Sequence, residues 1–249
     1  MKLTLAEPKL LTDSISIISE LVNEVHLKID KDKIELIAMD PANVAMIIFK
    51  LLSSAFTEYK IEKPVEISIS LDSFKQILKR AKPSDVVSLE LDKDKNKLKI
   101  QIKGDSTRTF NLALIDLEKK EQRVPDLSFP VKIESSTITF DEAIEDMDIV
   151  SESVALIAEK NKFTIESQGS LHNAKVEISP DEETSIKFDS KDAIKSRYSI
   201  DYLKKIIKAS KLTKKVNIYF NKDYPLKLEY AIKDKLNFSV ILAPRVSND

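Results

Sequence analysis

The feature that most constrains this chain is an internal repeat. The first half of the 249-residue sequence aligns with the second over most of its length: Leu11 aligns with Phe140, Lys75 with Lys204 and, after the register changes by one position, Phe110 with Phe238. The aligned positions match in hydrophobic pattern more often than in identity. Long-range self-similarity of this kind indicates a duplicated structural unit. The repeat therefore predicts two copies of one domain, at 1–117 and 128–249, joined by a polar connector at 118–127.

Each half combines helical and strand periodicities. Leu11, Ile15 and Ile18 recur at helical spacing after Pro8, which predicts a first helix. A second helix is predicted from Asp72, as its N-cap, to Lys82. Strands are predicted where apolar residues alternate or cluster, at 25–29, 34–38, 44–51, 65–70, 86–91, 98–102 and 108–114. The short turns between them favour antiparallel pairing, so the predicted class is α+β.

Composition excludes several classes of protein. A hydrophobic fraction of 42% supports a core, and 40 basic against 41 acidic residues leave a formal net charge of −1. The absence of cysteine excludes disulfides, thiolate catalysis and iron–sulfur clusters, and two glycines are too few for a phosphate-binding glycine loop. The longest apolar run, Val44–Phe49, is too short to span a membrane, and Ala6-Glu7-Pro8 interrupts any signal-peptide core. We expect a soluble intracellular protein with no cofactor, no metal and no membrane partner.

Lysines are sorted onto one face of the second helix in each half. Lys75, Lys79 and Lys82 lie at i, i+4 and i+7, and the repeat places further lysines at the equivalent positions. Like charges at this spacing destabilise an isolated helix, so their recurrence indicates an anionic ligand. Aromatic residues do not interleave with them, which favours sequence-independent contact with phosphates over base stacking. The candidate DNA-binding residues are Lys75, Lys79, Lys82, Lys204, Lys205, Lys208 and Lys211.

Candidate catalytic groups are few. Asp141 and Glu145, like Glu142 and Asp146, are spaced i, i+4 on a predicted helix. Such pairs can hold a metal or perform acid–base chemistry, but no histidine or glycine-rich loop accompanies them, so a solvated or partner-facing surface is favoured. His26, on the polar side of an alternating strand, is expected to be simply exposed. A metal-dependent hydrolase that uses the four carboxylates remains an alternative function.

Four further segments carry a specific pattern when they are taken together: Ala38–Val44, Leu71–Arg80, Leu114–Asp116 and Leu242–Val246. With these segments the chain resembles the DNA sliding clamps of the proliferating cell nuclear antigen family, in their archaeal form. The resemblance implies an α+β DNA-clamp fold with two similar domains per chain. Antiparallel sheets would form the outside of a homotrimeric ring, and four helices per chain would line the hole through which duplex DNA passes. It also implies a protein without catalysis, placed in the cytoplasm of an archaeal cell in association with the nucleoid.

The resemblance implies two further surfaces. DNA polymerase, the clamp loader, flap endonuclease and DNA ligase would bind through a short hydrophobic peptide motif. The implied peptide pocket comprises Met39, Val44, Met46, Val124, Pro125, Pro225, Ile241, Ala243 and Pro244. The implied subunit interface pairs strand 106–114 with strand 173–179 of a neighbour and comprises Arg80, Lys82, Arg108, Phe110, Glu142, Asp146, Lys175 and Glu177.

Two positions depart from the family pattern. Gln122 stands in the connector where relatives have an apolar residue, and Asp141 and Glu145 occupy places that carry lysines on the inner face of the ring. We therefore expect the second helix of each half to carry the positive charge of the hole. The acidic helix is also the reason to keep a clamp built from different subunits as an alternative.

Overall fold

The computed structural model describes residues 1–92, 94–118 and 122–245. Part of the predicted connector, 119–121, and the last residues of the predicted second domain, 246–249, lie outside this description, as does Lys93.

The described strands and helices follow the same order in each half of the chain. The first half comprises β1 (Lys2–Leu5), α1 (Lys9–Ile18), β2 (Glu24–Ile29), β3 (Lys33–Met39), β4 (Ala45–Leu52), β5 (Glu58–Lys60), β6 (Val65–Ser70), α2 (Leu71–Leu78), β7 (Val86–Asp92), β8 (Lys97–Lys103) and β9 (Thr107–Ala113). The second comprises β10 (Val131–Ser136), α3 (Thr137–Asp148), β11 (Ser153–Glu159), β12 (Lys162–Gln168), β13 (Asn173–Ile178), β14 (Ser185–Phe188), β15 (Ile194–Ser199), α4 (Ile200–Ile206), β16 (Lys215–Phe220), β17 (Leu226–Ile232) and β18 (Leu236–Leu242). Short 3₁₀ helices occupy Ser53–Ala55 and Ile207–Lys211.

The sheets repeat as the sequence does. Strands of the first half are ordered β5-β1-β7-β8-β9 and β4-β3-β2-β6, and those of the second are ordered β14-β10-β16-β17-β18 and β13-β12-β11-β15. Within its own half, each strand therefore has the same neighbours as its counterpart in the other half. The assigned pairs, such as β7 with β8 and β11 with β12, are antiparallel. The predicted duplication of an α+β fold is confirmed.

The chain forms two compact units, each with its own apolar core. The first unit comprises 1–41, 47–123 and 232–238, and the second comprises 42–46, 124–231 and 239–249. Helices α1 and α2 pack against each other in the first unit, as do α3 and α4 in the second. Fully buried side chains include Phe49 and Leu78 in the first unit and Phe140 and Phe220 in the second. Burial of these apolar faces drives the amphipathic elements together.

Helix α2 begins and ends earlier than predicted. Ser70 is its N-cap, with extended backbone and a side-chain oxygen that accepts a hydrogen bond from the Ser73 amide at 3.4 Å, so the prediction of Asp72 as the cap is wrong. Asp72 lies in the first turn, where its charge favours the positive end of the helix dipole. The helix ends at Leu78, and the backbone N–H of Lys82 donates to the buried Asp85 carboxylate at 2.9 Å. The predicted helical position of Lys82 is therefore also wrong.

Two strands of the first half, β1 and β5, were not predicted, and neither were their counterparts β10 and β14. β1 contains four residues and β5 contains three, which are too few for an alternation of apolar and polar residues to be recognised. Leu3 on β1 pairs with Tyr59 on β5 and with Leu89 on β7, so β1 lies between two strands that are distant in sequence. These strands depend on tertiary pairing rather than on a local signal.

Candidate nucleic-acid interface and partner-binding surfaces

The lysines of α2 differ in exposure. Lys79, the C-cap residue, is exposed. Lys75 is half-buried, with 20% of its side-chain surface exposed, and its Nζ lies 3.9 Å from Oε1 of Glu20, two residues after the end of α1. Lys82 is exposed, and its Nζ lies 3.1 Å from the Asp105 carboxylate. Lys79 and Lys82 are therefore the exposed lysines of this predicted stripe, whereas Lys75 is half-buried.

The equivalent lysines of the second unit continue from α4 into the 3₁₀ helix. Lys204, Lys208 and Lys211 are exposed. The Nζ of Lys204 lies 2.6 Å from the Asp148 carboxylate at the end of α3, and this hydrogen bond raises the lysine pKa above its ordinary value. The Nζ of Lys205 lies 5.6 Å from the centre of the Tyr202 ring, within cation–π distance.

The two pairings occur at matched places in the repeat. Lys75 and Lys204 are equivalent residues, and each reaches a carboxylate at the end of the helix packed beside it. These acids partly neutralise one lysine of each unit. The next lysines along, Lys79 and Lys208, are also equivalent, and both are exposed. They are candidates for contact with phosphate at matched, exposed positions.

The acidic residues of α3 do not all face solvent. Glu142, Glu145, Asp146 and Asp148 are exposed. Asp141 is half-buried, and its Oδ1 has no accessible surface and no hydrogen-bond partner. Burial raises the pKa of Asp141 to about 6, a hydrogen bond from Ser210 opposes the shift, and Glu145 adds to it. Asp141 is therefore less accessible than Glu145, which lies on an exposed face, and the placing of both at lysine positions of the inner face stays a prediction.

The carboxylates do not form a metal site. Within the described residues, no group of three or more His, Asp or Glu side chains is arranged to hold a metal ion. The same part of the chain has no helix that is long and apolar enough to cross a membrane.

The predicted peptide pocket is partly surface and partly core. Val44 is half-buried, and its carbonyl accepts a hydrogen bond from the Ala243 amide at 2.9 Å, which brings two predicted segments together in the second unit. Asn43 adopts a left-handed backbone with φ of 58°, a conformation that asparagine tolerates, and this sets the turn before Val44.

The remaining predicted pocket residues fall into three groups. Val124 and Pro125 are exposed, while Pro225, Ala243 and Pro244 are half-buried. Met46 and Ile241 are buried, with 6% and 8% exposure, and so belong to the core. Met39 is half-buried at the end of β3 in the first unit.

The two strands predicted to join subunits are both sheet edges. β9 ends the order β5-β1-β7-β8-β9, and β13 ends the order β13-β12-β11-β15. Phe110 and Arg108 lie on β9, whereas Lys175 and Glu177 lie on β13, where their side chains form an ion pair at 2.7 Å. Both edges leave backbone hydrogen-bonding groups available for another strand.

Arg108, a predicted interface residue, is held by partners in its own chain. The Arg108 guanidinium donates to the Asp85 carboxylate at 2.6 Å and to the Arg80 carbonyl at 2.8 Å. Asp85 is only 3% exposed. The guanidinium thus fixes the segment after α2, a role for Asp85 that no local sequence signal indicates.

His26 is a second residue whose role was missed. It is half-buried on β2, and its Nδ1 lies 2.7 Å from the Ser68 hydroxyl on β6. Its Nε2 lies 3.2 Å from the carbonyl of Glu118, the first residue of the predicted connector. The expectation that His26 is simply exposed is therefore wrong.

Comparison with known proteins agrees with this geometry. The structure is similar to a crystal structure of PCNA from Thermococcus kodakaraensis, with a TM-score of 0.92 and 25% identity over 98% of this chain and 99% of that one. The pattern that defines the proliferating cell nuclear antigen N-terminal domain matches residues 1–122, and that of the C-terminal domain matches 123–245. The chain belongs to the proliferating cell nuclear antigen family.

Relatives within the family support the assignment over full length. The chain is 35% identical to DNA polymerase sliding clamp 1 of Thermococcus kodakarensis, with 94% of each chain covered. It is 34% identical to the DNA polymerase sliding clamp of Nanoarchaeum equitans, over 98% of this chain and 99% of the relative. The resemblance to archaeal sliding clamps is confirmed.

Proposed function

We propose that this chain is a DNA sliding clamp, a ring-forming processivity factor for DNA polymerase that has no catalytic activity of its own. The observation that carries the proposal is the duplicated clamp fold, which matches the family over almost the whole chain. The matched exposed lysines Lys79 and Lys208 support it, because point charges on equivalent helices suit the regular phosphates of a duplex. We propose that it acts in the cytoplasm, on archaeal chromosomal DNA.

The repeat also supports a ring. β9 corresponds to β18 and β13 to β4, and β18 and β4 are hydrogen-bonded neighbours. The Leu52 amide donates to the Lys235 carbonyl inside the first unit, and the Ala243 amide donates to Val44 inside the second. The edge strands β9 and β13 therefore correspond, in the repeat, to β18 and β4, two strands that pair with each other. Head-to-tail pairing of these edges between copies closes a ring when the rotation permits, and we propose three copies.

The ring would hold DNA by topology rather than by affinity. Lysine contacts to phosphate are independent of sequence and weaken with salt, so a protein that depended on them alone would dissociate readily. A closed ring cannot leave sideways, and weak contacts then allow sliding. The partly neutralised Lys75 and Lys204 fit a surface that need not bind tightly.

Replication and repair enzymes would bind at the surface around Val44, Val124, Pro125, Ala243 and Pro244. These residues offer exposed or half-buried apolar groups on the second unit. Such a surface suits a short peptide with aliphatic and aromatic anchors. We propose polymerase, clamp loader, flap endonuclease and DNA ligase as its partners.

A clamp built from different subunits is a second candidate. The specific observation that favours it is the exposed acidic face of α3, with Glu142, Glu145, Asp146 and Asp148. A lysine-rich neighbour would then balance the charge of the hole. Mass measurement of the purified chain separates the two, since a homotrimer would weigh three times the 28.2 kDa of one chain.

Topological trapping tests the proposed function directly. The chain is mixed with a linear duplex that has cohesive ends, and the ends are then joined with a ligase. Protein threaded on the resulting circle should stay bound in about 0.5 M salt, where phosphate contacts alone fail, and should be released when the circle is cut. Release from the intact circle in that salt would contradict a closed ring around DNA.

A further inference from the structure

The beginning of the connector is attached to the first unit by the side chain of His26 on β2, which pairs with Ser68 on β6. The His26 Nδ1 lies 2.7 Å from the Ser68 hydroxyl, and the His26 Nε2 lies 3.2 Å from the Glu118 carbonyl. The carbonyl of Ser68 accepts a hydrogen bond from the Ile115 amide at 3.0 Å. Ser68 and His26 therefore hold the segment 115–118 at both of its ends.

The chemistry of the imidazole makes this attachment specific. A carbonyl only accepts, so the hydrogen on Nε2 must be donated to Glu118. Nδ1 can then accept from the Ser68 hydroxyl, and a hydroxyl can donate or accept, so the pair also survives when both ring nitrogens carry hydrogen. One half-buried ring thus links a strand of the first unit to the first connector residue.

We infer that His26 is a positioning residue for partner binding: it fixes the start of the connector and so raises the affinity of the peptide surface to which the connector contributes. The inference rests on the proposed function, since it concerns the same surface. Val124 and Pro125 follow Glu118 by only six and seven residues. A fixed starting point restricts the positions that they can reach, and such pre-organisation lowers the entropic cost of binding.

Three substitutions at one position separate the two hydrogen bonds. In His26→Gln the amide nitrogen reaches about as far as Nε2 and can still donate to Glu118. In His26→Asn the shorter amide reaches about as far as Nδ1, so it can pair with Ser68 but not with Glu118. His26→Ala removes both bonds. His172→Ala is the matched control, because His172 is exposed in the second unit.

The readout is the affinity for a short fluorescein-labelled peptide that carries aliphatic and aromatic anchors, measured by anisotropy on the full chain. Removal of one net hydrogen bond predicts affinity about three- to tenfold weaker for His26→Ala and His26→Asn. His26→Gln should restore most of the affinity, and His172→Ala should match the wild type. Hydrogen exchange should accelerate in segment 115–118 for the two weakened variants only, and urea unfolding identifies any variant that fails to fold.

A further variant distinguishes failure of this inference from failure of the proposed function. Val44→Ala removes apolar surface from the peptide site itself, and Val86→Ala is its control of similar burial on β7. If Val44→Ala weakens peptide binding but all three His26 variants bind the peptide like the wild type, the positioning role of His26 is overturned, while the proposed peptide surface is retained. If neither Val44→Ala nor any His26 variant changes the affinity, the peptide surface itself is misplaced.

Discussion

At the residue scale, a buried carboxylate fixes the side chain of an arginine that is predicted to lie at the subunit interface. Asp85, at 3% exposure, accepts hydrogen bonds from Arg108 and from the Lys82 backbone. Gly104 lies against the same carboxylate: a Cβ built there would stand 2.1 Å from Asp85 Oδ1. An interface that depends on Arg108 therefore depends on Asp85 and Gly104 too.

The first prediction concerns this contact. Gly104→Ala should lower the free energy of unfolding by about 1–3 kcal/mol, because the new methyl group displaces a buried carboxylate from its donors. Urea denaturation would measure the effect. In an Asp85→Ala background the same substitution should cost much less, since the methyl group then has space. Equal costs in the two backgrounds would show that the displaced carboxylate is not the cause.

The second prediction concerns Asp141 and pH. Burial raises the pKa of Asp141 from 3.8 to about 6, so between about pH 4 and 6 the folded protein keeps a proton that the unfolded chain has released. The stability contributed by this group therefore falls as pH rises through that window and stays low above it. Asp141→Asn should gain about 1 kcal/mol over the wild type at pH 7, after allowance for solvent screening, and nothing near pH 3.5. Parallel stability curves for the two proteins across this range would contradict the prediction.

At the element scale, the repeat places lysines at equivalent positions but does not make them equivalent in charge. α2 ends at Leu78, and the lysine-bearing segment of the second unit continues as a 3₁₀ helix to Lys211. Lys75 is half-buried and lies near Glu20, and Lys204 is paired with Asp148, while Lys79 and Lys208 are both exposed. Contact with DNA should follow exposure and not simply lysine spacing.

The third prediction tests that distinction. Replacing Lys79 and Lys208 by Ala should reduce the slope of log affinity against log salt for duplex DNA by about 0.9 for each phosphate that the variant no longer neutralises. Lys75→Ala should have a smaller effect, since that side chain is half-buried beside Glu20. Lys99→Ala on β8, where Lys99 pairs with Glu90, is the matched control. An unchanged slope in the Lys79/Lys208 variant would remove these residues from the DNA contact.

At the scale of the whole molecule, the duplication explains why a free chain has complementary edges. β9 and β13 are copies of β18 and β4, which are hydrogen-bonded neighbours. Unpaired edges of this kind invite association, and head-to-tail use of both edges gives each copy two neighbours. We propose that Glu142 and Asp146, which are exposed on α3, face Arg80, Lys82 and Arg108 of the next copy.

The fourth prediction concerns this assembly. Glu142→Lys combined with Asp146→Lys should place like charges across the contact and raise the dissociation constant of the ring about tenfold or more, with the largest effect at low salt. Light scattering would follow the fall in mass from that of three chains toward the 28.2 kDa of one. Glu182→Lys with Glu183→Lys, in an exposed loop, produces the same change in net charge and should leave the ring intact. A ring that survives the first pair of reversals at low concentration would show that the ionic contact is misassigned.

Features that depend on local periodicity were predictable from the sequence. The alignment of the first half with the second predicted the duplication, and alternation placed strands such as Val65–Ser70 at their observed limits. The short turn predicted between strands 86–91 and 98–102 agrees with the pairing of Asp92 and Lys97 across β7 and β8, and Asn96 adopts a left-handed backbone with φ of 50°. In such features, residues close in sequence determine the conformation, so the pattern alone is sufficient.

Tertiary structure decided which polar side chains are buried and what they contact. His26 and Glu118 are 92 residues apart in sequence, and β1 forms only because β5 and β7 lie on either side of it. The burial of Asp85 and Asp141, and the pairing of Lys204 with Asp148, likewise depend on elements that meet only in the folded chain. A periodic pattern shows which face of a strand or helix is polar. It does not show which distant segment covers that face, because the folded topology determines the contact.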